Sequence, residues 1–183
     1  YVDEVDRSFF NSVSEFKKGY EQMYPGVEFR GELIAAQAID YDYSSSDRTA
    51  TFFSGGVDST ATLLNRLDEK PDLITVWGSD IPLDDVKGWQ QVKKDVEGYA
   101  VRFGLKTLFI ESAFRLFINY AYLDNDFSRI LGTGWWYGMQ HGIGLIGHAA
   151  PYAGLHSLKT VYIPGTFSSN NCDGLKCASV PWI

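Results

Sequence analysis

The chain has 183 residues, of which 45% are hydrophobic and 21% charged, a composition typical of one globular domain with a real core. Its formal net charge of −7 argues against nucleic-acid binding, which usually needs an excess of basic residues. The sequence contains no uninterrupted apolar run of about 18 residues, so it predicts no membrane span. The first residues resemble no signal peptide, and two cysteines cannot form a disulfide framework, so we expect a cytoplasmic protein.

Residues 1–47 are predicted to form a helix and a lead-in segment that pack on the domain that follows. Apolar side chains recur every three or four positions over residues 3–23, which indicates an amphipathic helix. Pro25 and the glycine after it are expected to end that helix. The stretch "VEFRGELIAA" (27–36) predicts a strand followed by a turn, and the polar run "SSSD" (44–47) predicts a joint.

From residue 48 onward, apolar runs of strand length alternate with helical patterns. The predicted strands cover 48–53, 72–78, 106–111 and 159–165, and the predicted helices cover 57–69 and 84–104. Gly104 is expected to cap the second helix, and residues 114–153 are expected to be helical in part. The alternation predicts an α/β fold with a mostly parallel sheet of roughly five strands, covered on both faces, in which 48–53 is near the centre.

The first strong strand runs directly into the string "FFSGGVDST" (52–60). Helix N-termini expose unpaired N–H groups and carry partial positive charge, and glycines let an anion approach the backbone closely. Ser54, Ser59 and Thr60 add hydroxyl donors, so the string predicts a phosphate site. Asp58 suits such a site if a divalent cation bridges it to the phosphates. The alternative is a tight strand-to-helix turn with no ligand.

The string "SGGVDS" (54–59) is neither a Walker A motif nor a dinucleotide fingerprint. It resembles the PP-loop signature SGG-x-DS of the ATP pyrophosphatase superfamily, and is most similar to the versions in asparagine synthetase and deazaguanine synthase type members. The resemblance implies the adenine nucleotide alpha hydrolase-like fold, a three-layer sandwich. It also implies ATP and Mg²⁺ as cofactors, with cleavage of ATP between its α- and β-phosphates.

The resemblance also implies a set of binding residues. The pyrophosphate of ATP would lie on the loop and first helical turn, formed by Ser54, Gly55, Gly56, Val57, Asp58, Ser59 and Thr60. Asp58 would bind the magnesium ion. Trp77 and Gly78, at the end of the second strand, would lie against adenine, although Trp77 is equally suited to core packing. Gly165 and Thr166, after the fourth strand, would contact the ribose or the α-phosphate, but the acids that some members carry beyond this turn are missing here.

The activity implied is adenylation of an acid or carbonyl substrate for amide-type ligation, in a nucleotide-binding domain over residues 48–183. The alternative is a non-catalytic nucleotide-binding module or a fragment of a larger enzyme, because only 18 residues follow position 165. A universal-stress-like nucleotide sensor is a third reading, although such proteins carry a different glycine pattern. The acceptor substrate cannot be read from the sequence.

Other residues leave several alternatives open. Three alternatives remain for Cys172 and Cys177: two unlinked thiols, half of a zinc site, or a redox pair. His141 and His148 are seven residues apart and could share a helix face, but neither has an evident partner as a base. The aromatic and glycine-rich segment 131–155 has three interpretations: a substrate lid, a tightly packed helix pair, or the interface of a homodimer. Candidate cations for the phosphates are Arg115, Arg129, Lys159 and Lys176.

Overall fold

The computed structural model describes residues 1–41 and 47–165. Its strands are β1 (Val2–Asp6), β2 (Ala35–Ile39), β3 (Arg48–Phe52), β4 (Asp72–Trp77), β5 (Thr107–Glu111) and β6 (Leu158–Tyr162). Its helices are α1 (Arg7–Met23), α2 (Val57–Asn65), α3 (Val86–Phe103), α4 (Tyr120–Leu131) and α5 (His141–His156). Within this described part, no helix combines the length and the apolar character that crossing a membrane requires.

The described residues divide into two compact units. The first unit is built from residues 1–41 and 120–143, and the second from residues 47–119 and 144–165. The second unit carries the glycine loop and the alternating strands and helices that the sequence predicts.

The first unit contains a two-stranded parallel sheet of β1 and β2, in register from Val2 opposite Ala35 to Asp6 opposite Ile39. The prediction of a helix from residue 3 is therefore wrong for its first turn. Helix α1 starts after Asp6, whose carboxylate accepts a hydrogen bond from the Phe9 amide at 2.8 Å and so caps the helix.

Two tyrosines, Tyr20 of α1 and Tyr24 directly after it, anchor a π-helical turn (Trp136–Gln140) in the core of the first unit. The Tyr20 hydroxyl donates to the Met139 carbonyl at 2.6 Å, and the buried Tyr24 hydroxyl donates to the Gly138 carbonyl at 2.8 Å. Part of the aromatic segment 131–155 is thus ordinary packing, and the homodimer stays a prediction.

The second unit contains a four-stranded sheet in the order β5-β4-β3-β6, in which every neighbouring pair is parallel. Strand β3 is an inner strand, as predicted. The expected count of roughly five strands needs correction, because β1 and β2 pair with each other in a separate sheet among the described residues. The α/β class and the parallel pairing are confirmed.

Helices pack on both faces of the four-stranded sheet. On one face, Phe52 and Ile74 belong to a buried cluster with Ala149 of α5. On the other face, Phe53 of the loop after β3 is buried with Leu63 of α2 and Val96 of α3. Strand side chains alternate between faces, so apolar runs such as 72–77 fill both clusters. The carboxyl ends of all four strands consequently meet at one edge of the sheet.

Candidate functional site

The glycine loop joins the carboxyl end of β3 to the amino terminus of α2. The Phe53 amide donates to the Ile74 carbonyl at 2.8 Å, which extends the pairing of β3 with β4 by one residue. Gly55 then takes the left-handed conformation, with φ of 78°, which glycine adopts at little cost. Gly56 is extended and stands at the N-cap position, where no side chain caps the helix.

Serine hydroxyls hold this turn together from within. Ser59 is buried, and its hydroxyl donates to the Gly56 carbonyl at 3.0 Å. The two hydroxyl oxygens of Ser54 and Ser59 are 3.3 Å apart, and the Gly56 amide donates to the Ser54 oxygen at 3.4 Å. These bonds fix the turn before any ligand arrives. Ser54 is exposed and can also face a ligand, whereas buried Ser59 acts first as a brace.

The outer side of the loop is open. Residues 54–58 are exposed, Val57 at 87%, and a Cβ atom built on Gly55 would have no neighbour within 4 Å. The Thr60 amide donates to the Gly56 carbonyl at 2.9 Å, a bond of the helical i to i−4 pattern. The amides of the first turn of any α-helix have no carbonyl partner within it, and they carry partial positive charge. An anion therefore has access to this end of α2.

Asp58 lies in the first turn of α2, and its side chain is exposed. No group of three or more histidine, cysteine, aspartate or glutamate side chains within residues 1–41 and 47–165 is placed to hold a metal ion. A magnesium ion at Asp58 would need most of its ligands from water and from a phosphate compound, which is how Mg²⁺ is commonly bound. The donor set fits a metal that arrives with a nucleotide.

Trp77 and Gly78 lie at the carboxyl end of β4, next to β3 in the sheet. The Trp77 indole stacks on Trp89, with ring centroids 5.4 Å apart and planes 3° apart, and its N–H donates to the Pro82 carbonyl. The Trp77 carbonyl accepts from the Ser112 amide at 2.9 Å, and the Gly78 amide donates to the Ile81 carbonyl at 3.0 Å. These groups already have protein partners, which favours the packing role for Trp77.

Gly165 is exposed and follows β6, the other neighbour of β3. Thr51 pairs with Tyr162, so Ser54 and Gly165 each lie three residues beyond a paired position. Both lie at the carboxyl edge of the sheet. Thr166 lies outside the described residues, as do Cys172, Cys177 and Lys176.

The cations predicted to serve the phosphates are separated by the fold. Lys159 lies near the start of β6, at the amino edge of the sheet, and pairs with Asp47 at 3.0 Å. Arg115 lies in the segment after β5, at the carboxyl edge, where it donates to the Ser79 carbonyl at 2.9 Å. Arg129 belongs to α4 of the first unit. Arg115 is therefore the candidate on the same edge and in the same unit as the glycine loop.

A polar cluster near the carboxyl end of β6 joins this strand to the residues that follow α2. The Tyr162 hydroxyl donates to a Glu69 carboxylate oxygen at 2.8 Å, and the Arg66 guanidinium lies 5.0 Å from the centre of the Tyr162 ring. The hydrogen bond to Glu69 is the main reason that the pKa of Tyr162 is raised above its ordinary value. These contacts link β6 to the segment that follows α2, which includes a 3₁₀ turn (Leu67–Glu69).

The structure also brings together Ser112 and His148, a pair that sequence reasoning missed. Ser112 directly follows β5, and His148 lies on α5 of the same unit. The His148 Nε2 atom is 2.7 Å from the Ser112 hydroxyl oxygen, and its Nδ1 atom is 2.5 Å from the Gly144 carbonyl oxygen. The residues are 36 positions apart, and no sequence signal links them.

No model of a known protein family matches the chain, and neither a curated protein nor a solved structure is significantly similar to it. Inferences about function depend on the motif and on the geometry around it.

Proposed function

We propose that the chain binds ATP with Mg²⁺ on the glycine loop and cleaves it between the α- and β-phosphates. The product would be an adenylate of an acid or carbonyl substrate, with release of pyrophosphate, followed by displacement of AMP in an amide-type ligation. The observation that carries the proposal is the position of "SGGVDS" in an open, uncapped turn at the carboxyl end of an inner parallel strand. Ligands of open α/β sheets commonly bind at this edge.

The chain's own residues would bind and orient the triphosphate. The left-handed Gly55 exposes the backbone of the turn, and the hydroxyl of Ser54 is within reach of a ligand there. Ser59 keeps the turn in shape through its bond to the Gly56 carbonyl. Preorganised amides lose little freedom when the anion binds, which favours affinity.

Charge compensation would come from two sources. Magnesium, when bound, supplies positive charge to the phosphates, and Asp58 is the side chain that would hold it. Arg115 lies at the same edge and offers a guanidinium that suits phosphate oxygens. The triphosphate needs such compensation because the protein itself carries a formal net charge of −7.

The finer fold proposal follows from the same motif. The second unit, with helices on both faces of a parallel sheet, is proposed to be a four-stranded relative of the adenine nucleotide alpha hydrolase-like sandwich. Within the predicted domain 48–183, nucleotide binding is proposed to belong to the second unit, because residues 120–143 fall in the first unit with 1–41. A non-catalytic nucleotide-binding module, or a fragment of a larger enzyme, is the alternative.

Isothermal titration with ATP, with and without Mg²⁺, tests the binding step. We expect the wild type to bind MgATP, and Asp58→Ala to lose the magnesium-dependent part of the affinity, about tenfold or more. The matched control is Asp68→Ala, which removes an exposed acid at the other end of the same segment and should leave the affinity unchanged.

Two results would contradict this proposal. A wild-type protein that binds no purine triphosphate excludes the ATP site, and an Asp58→Ala variant with full MgATP affinity excludes the metal role. Incubation of radiolabelled ATP with a metabolite mixture separates the two classes of function. Release of AMP and pyrophosphate supports adenylation, whereas tight binding without turnover assigns the chain to the non-catalytic class.

A further inference from the structure

Ser112 and His148 have the arrangement of an activated hydroxyl and its base. The hydroxyl oxygen and the Nε2 atom are 2.7 Å apart, within the range of a strong hydrogen bond. Both residues are half-buried, so the pair is neither sealed in the core nor freely solvated. Nucleophile and base within hydrogen-bond reach, with the base oriented by a third group, are typical of nucleophilic catalysis.

The Gly144 carbonyl settles which nitrogen of neutral His148 carries the proton. A carbonyl oxygen can only accept, so Nδ1, which lies 2.5 Å from it, must be the donor. Nε2 is then the unprotonated nitrogen, and the Ser112 hydroxyl must donate to it. The ring is held further by Phe114, whose centroid is 4.5 Å away in an edge-to-face contact.

The Ser112 oxygen also receives a hydrogen bond. The Phe114 amide donates to it at 3.3 Å, so the oxygen lies between a donor and a base. A donor of this kind stabilises negative charge that develops on the oxygen as its proton leaves. The Ser112 amide is bonded to the Trp77 carbonyl at 2.9 Å, which fixes the residue to the end of the sheet.

The geometry points to an acyl-transfer site in which Ser112 is the nucleophile and His148 the general base. The segment that continues from Ser112 exposes Leu116 at 76% and Phe117 at 90%. Two exposed apolar side chains within five residues of the nucleophile suit an apolar acyl group better than a charged one. The substrate class we assign is therefore a carboxylic ester with an apolar acyl group. The assignment does not rest on the proposed ATP site.

The reaction balances with water as the second reactant. The Ser112 oxygen bonds to the ester carbonyl carbon while its proton passes to His148 Nε2. The bond from that carbon to the alcohol oxygen breaks, and the alcohol leaves with the proton from Nε2. Water then gives a proton to Nε2 and bonds to the acyl carbon. The bond to Ser112 breaks, the carboxylic acid leaves, and Ser112 regains its proton.

Labelling with a fluorophosphonate probe, followed by peptide mass spectrometry, tests the nucleophile. We expect Ser112 to be labelled in the wild type, and hydrolysis of p-nitrophenyl butyrate to disappear in Ser112→Ala. His148→Gln should slow both reactions by roughly a hundredfold, the usual contribution of a general base. His156→Gln, on the same helix, and Ser128→Ala, on α4, are the matched controls and should react as the wild type does.

The proposal is overturned if the folded wild type leaves Ser112 unlabelled, or if His148→Gln is labelled at the wild-type rate. Circular dichroism establishes that each variant is folded. If Ser112→Ala does not fold, Ser112→Cys replaces it. Its new thiol should be alkylated by iodoacetamide faster than when His148→Gln is added, and equal rates with and without His148 would reject the base.

Discussion

A Cβ atom on Gly78 would lie 1.9 Å from the carbonyl oxygen of Ser112, a separation that real structures do not allow. Gly78 also has φ of 98°, in the region that glycine alone enters easily. The end of β4 and the residue after β5 therefore approach each other closely because position 78 has no side chain. This approach fixes the backbone that carries Ser112.

We expect Gly78→Ala to destabilise the protein by about 3 kcal/mol or more, from backbone strain and the clash with Ser112 together. Urea denaturation monitored by tryptophan fluorescence measures the change. The matched control is Gly98→Ala on the exposed face of α3, where a Cβ atom meets nothing. There, alanine should stabilise by about 0.5–1 kcal/mol. Equal effects at the two positions would contradict the close approach.

The ion pair of Arg48 and Asp72 joins β3 to β4 at the amino edge of the sheet. The Asp72 side chain is 8% exposed, and Arg48 also donates to the His156 carbonyl at 2.7 Å. Arg48→Met removes both bonds and leaves a buried carboxylate without its cation. We expect a loss of about 3 kcal/mol in the free energy of unfolding, measured by urea denaturation.

An exposed pair provides the comparison for Arg48. Arg30 and Glu28 form an ion pair in which both side chains are largely exposed, at 81% and 70%. Arg30→Met should change the stability by less than about 0.5 kcal/mol, because water replaces the lost contact. Similar losses for the two arginine variants would show that burial of Asp72 does not decide the cost.

Local patterns in the sequence predicted much of the second unit, because its strands are buried on both faces and its helices are amphipathic. The spacing of apolar residues over 84–104 located α3, and Gly104 takes the left-handed cap that was expected there. The predicted helix 57–69 is interrupted after Asn65, where a 3₁₀ turn (Leu67–Glu69) follows. Periodicity does not distinguish these two kinds of helix over a few residues.

The features that sequence reasoning missed depend on contacts between distant segments. Strand β1 has the sequence "VDEVD", which gives no strand signal, and it forms only because β2 pairs with its backbone. The contact of Ser112 with His148 needs β5 and α5 to be brought together in the folded unit. For the glycine loop, the motif and the local geometry coincide, because a strand, a left-handed glycine and a helix start are all encoded within nine residues.

The last prediction separates ligand binding from stability at the glycine loop. Gly55→Ala places a methyl group in open space, where the phosphates are proposed to approach, and forces alanine into φ of 78°. We expect MgATP affinity to fall by about tenfold or more, while the strain costs only about 1 kcal/mol of stability. Calorimetry and urea denaturation measure the two quantities.

Two further glycine variants show whether a loss of MgATP affinity is specific to the glycine loop. Gly56 has φ of −72°, which alanine adopts without strain, so Gly56→Ala should weaken MgATP binding and cost only about 1 kcal/mol of stability, because alanine is a poorer N-cap than glycine. Gly154→Ala lies within α5 where a Cβ atom meets nothing, and should change neither affinity nor binding stoichiometry. If Gly55→Ala and Gly56→Ala bind MgATP as tightly as Gly154→Ala does, the loop does not hold the phosphates, and the turn serves only to join β3 to α2.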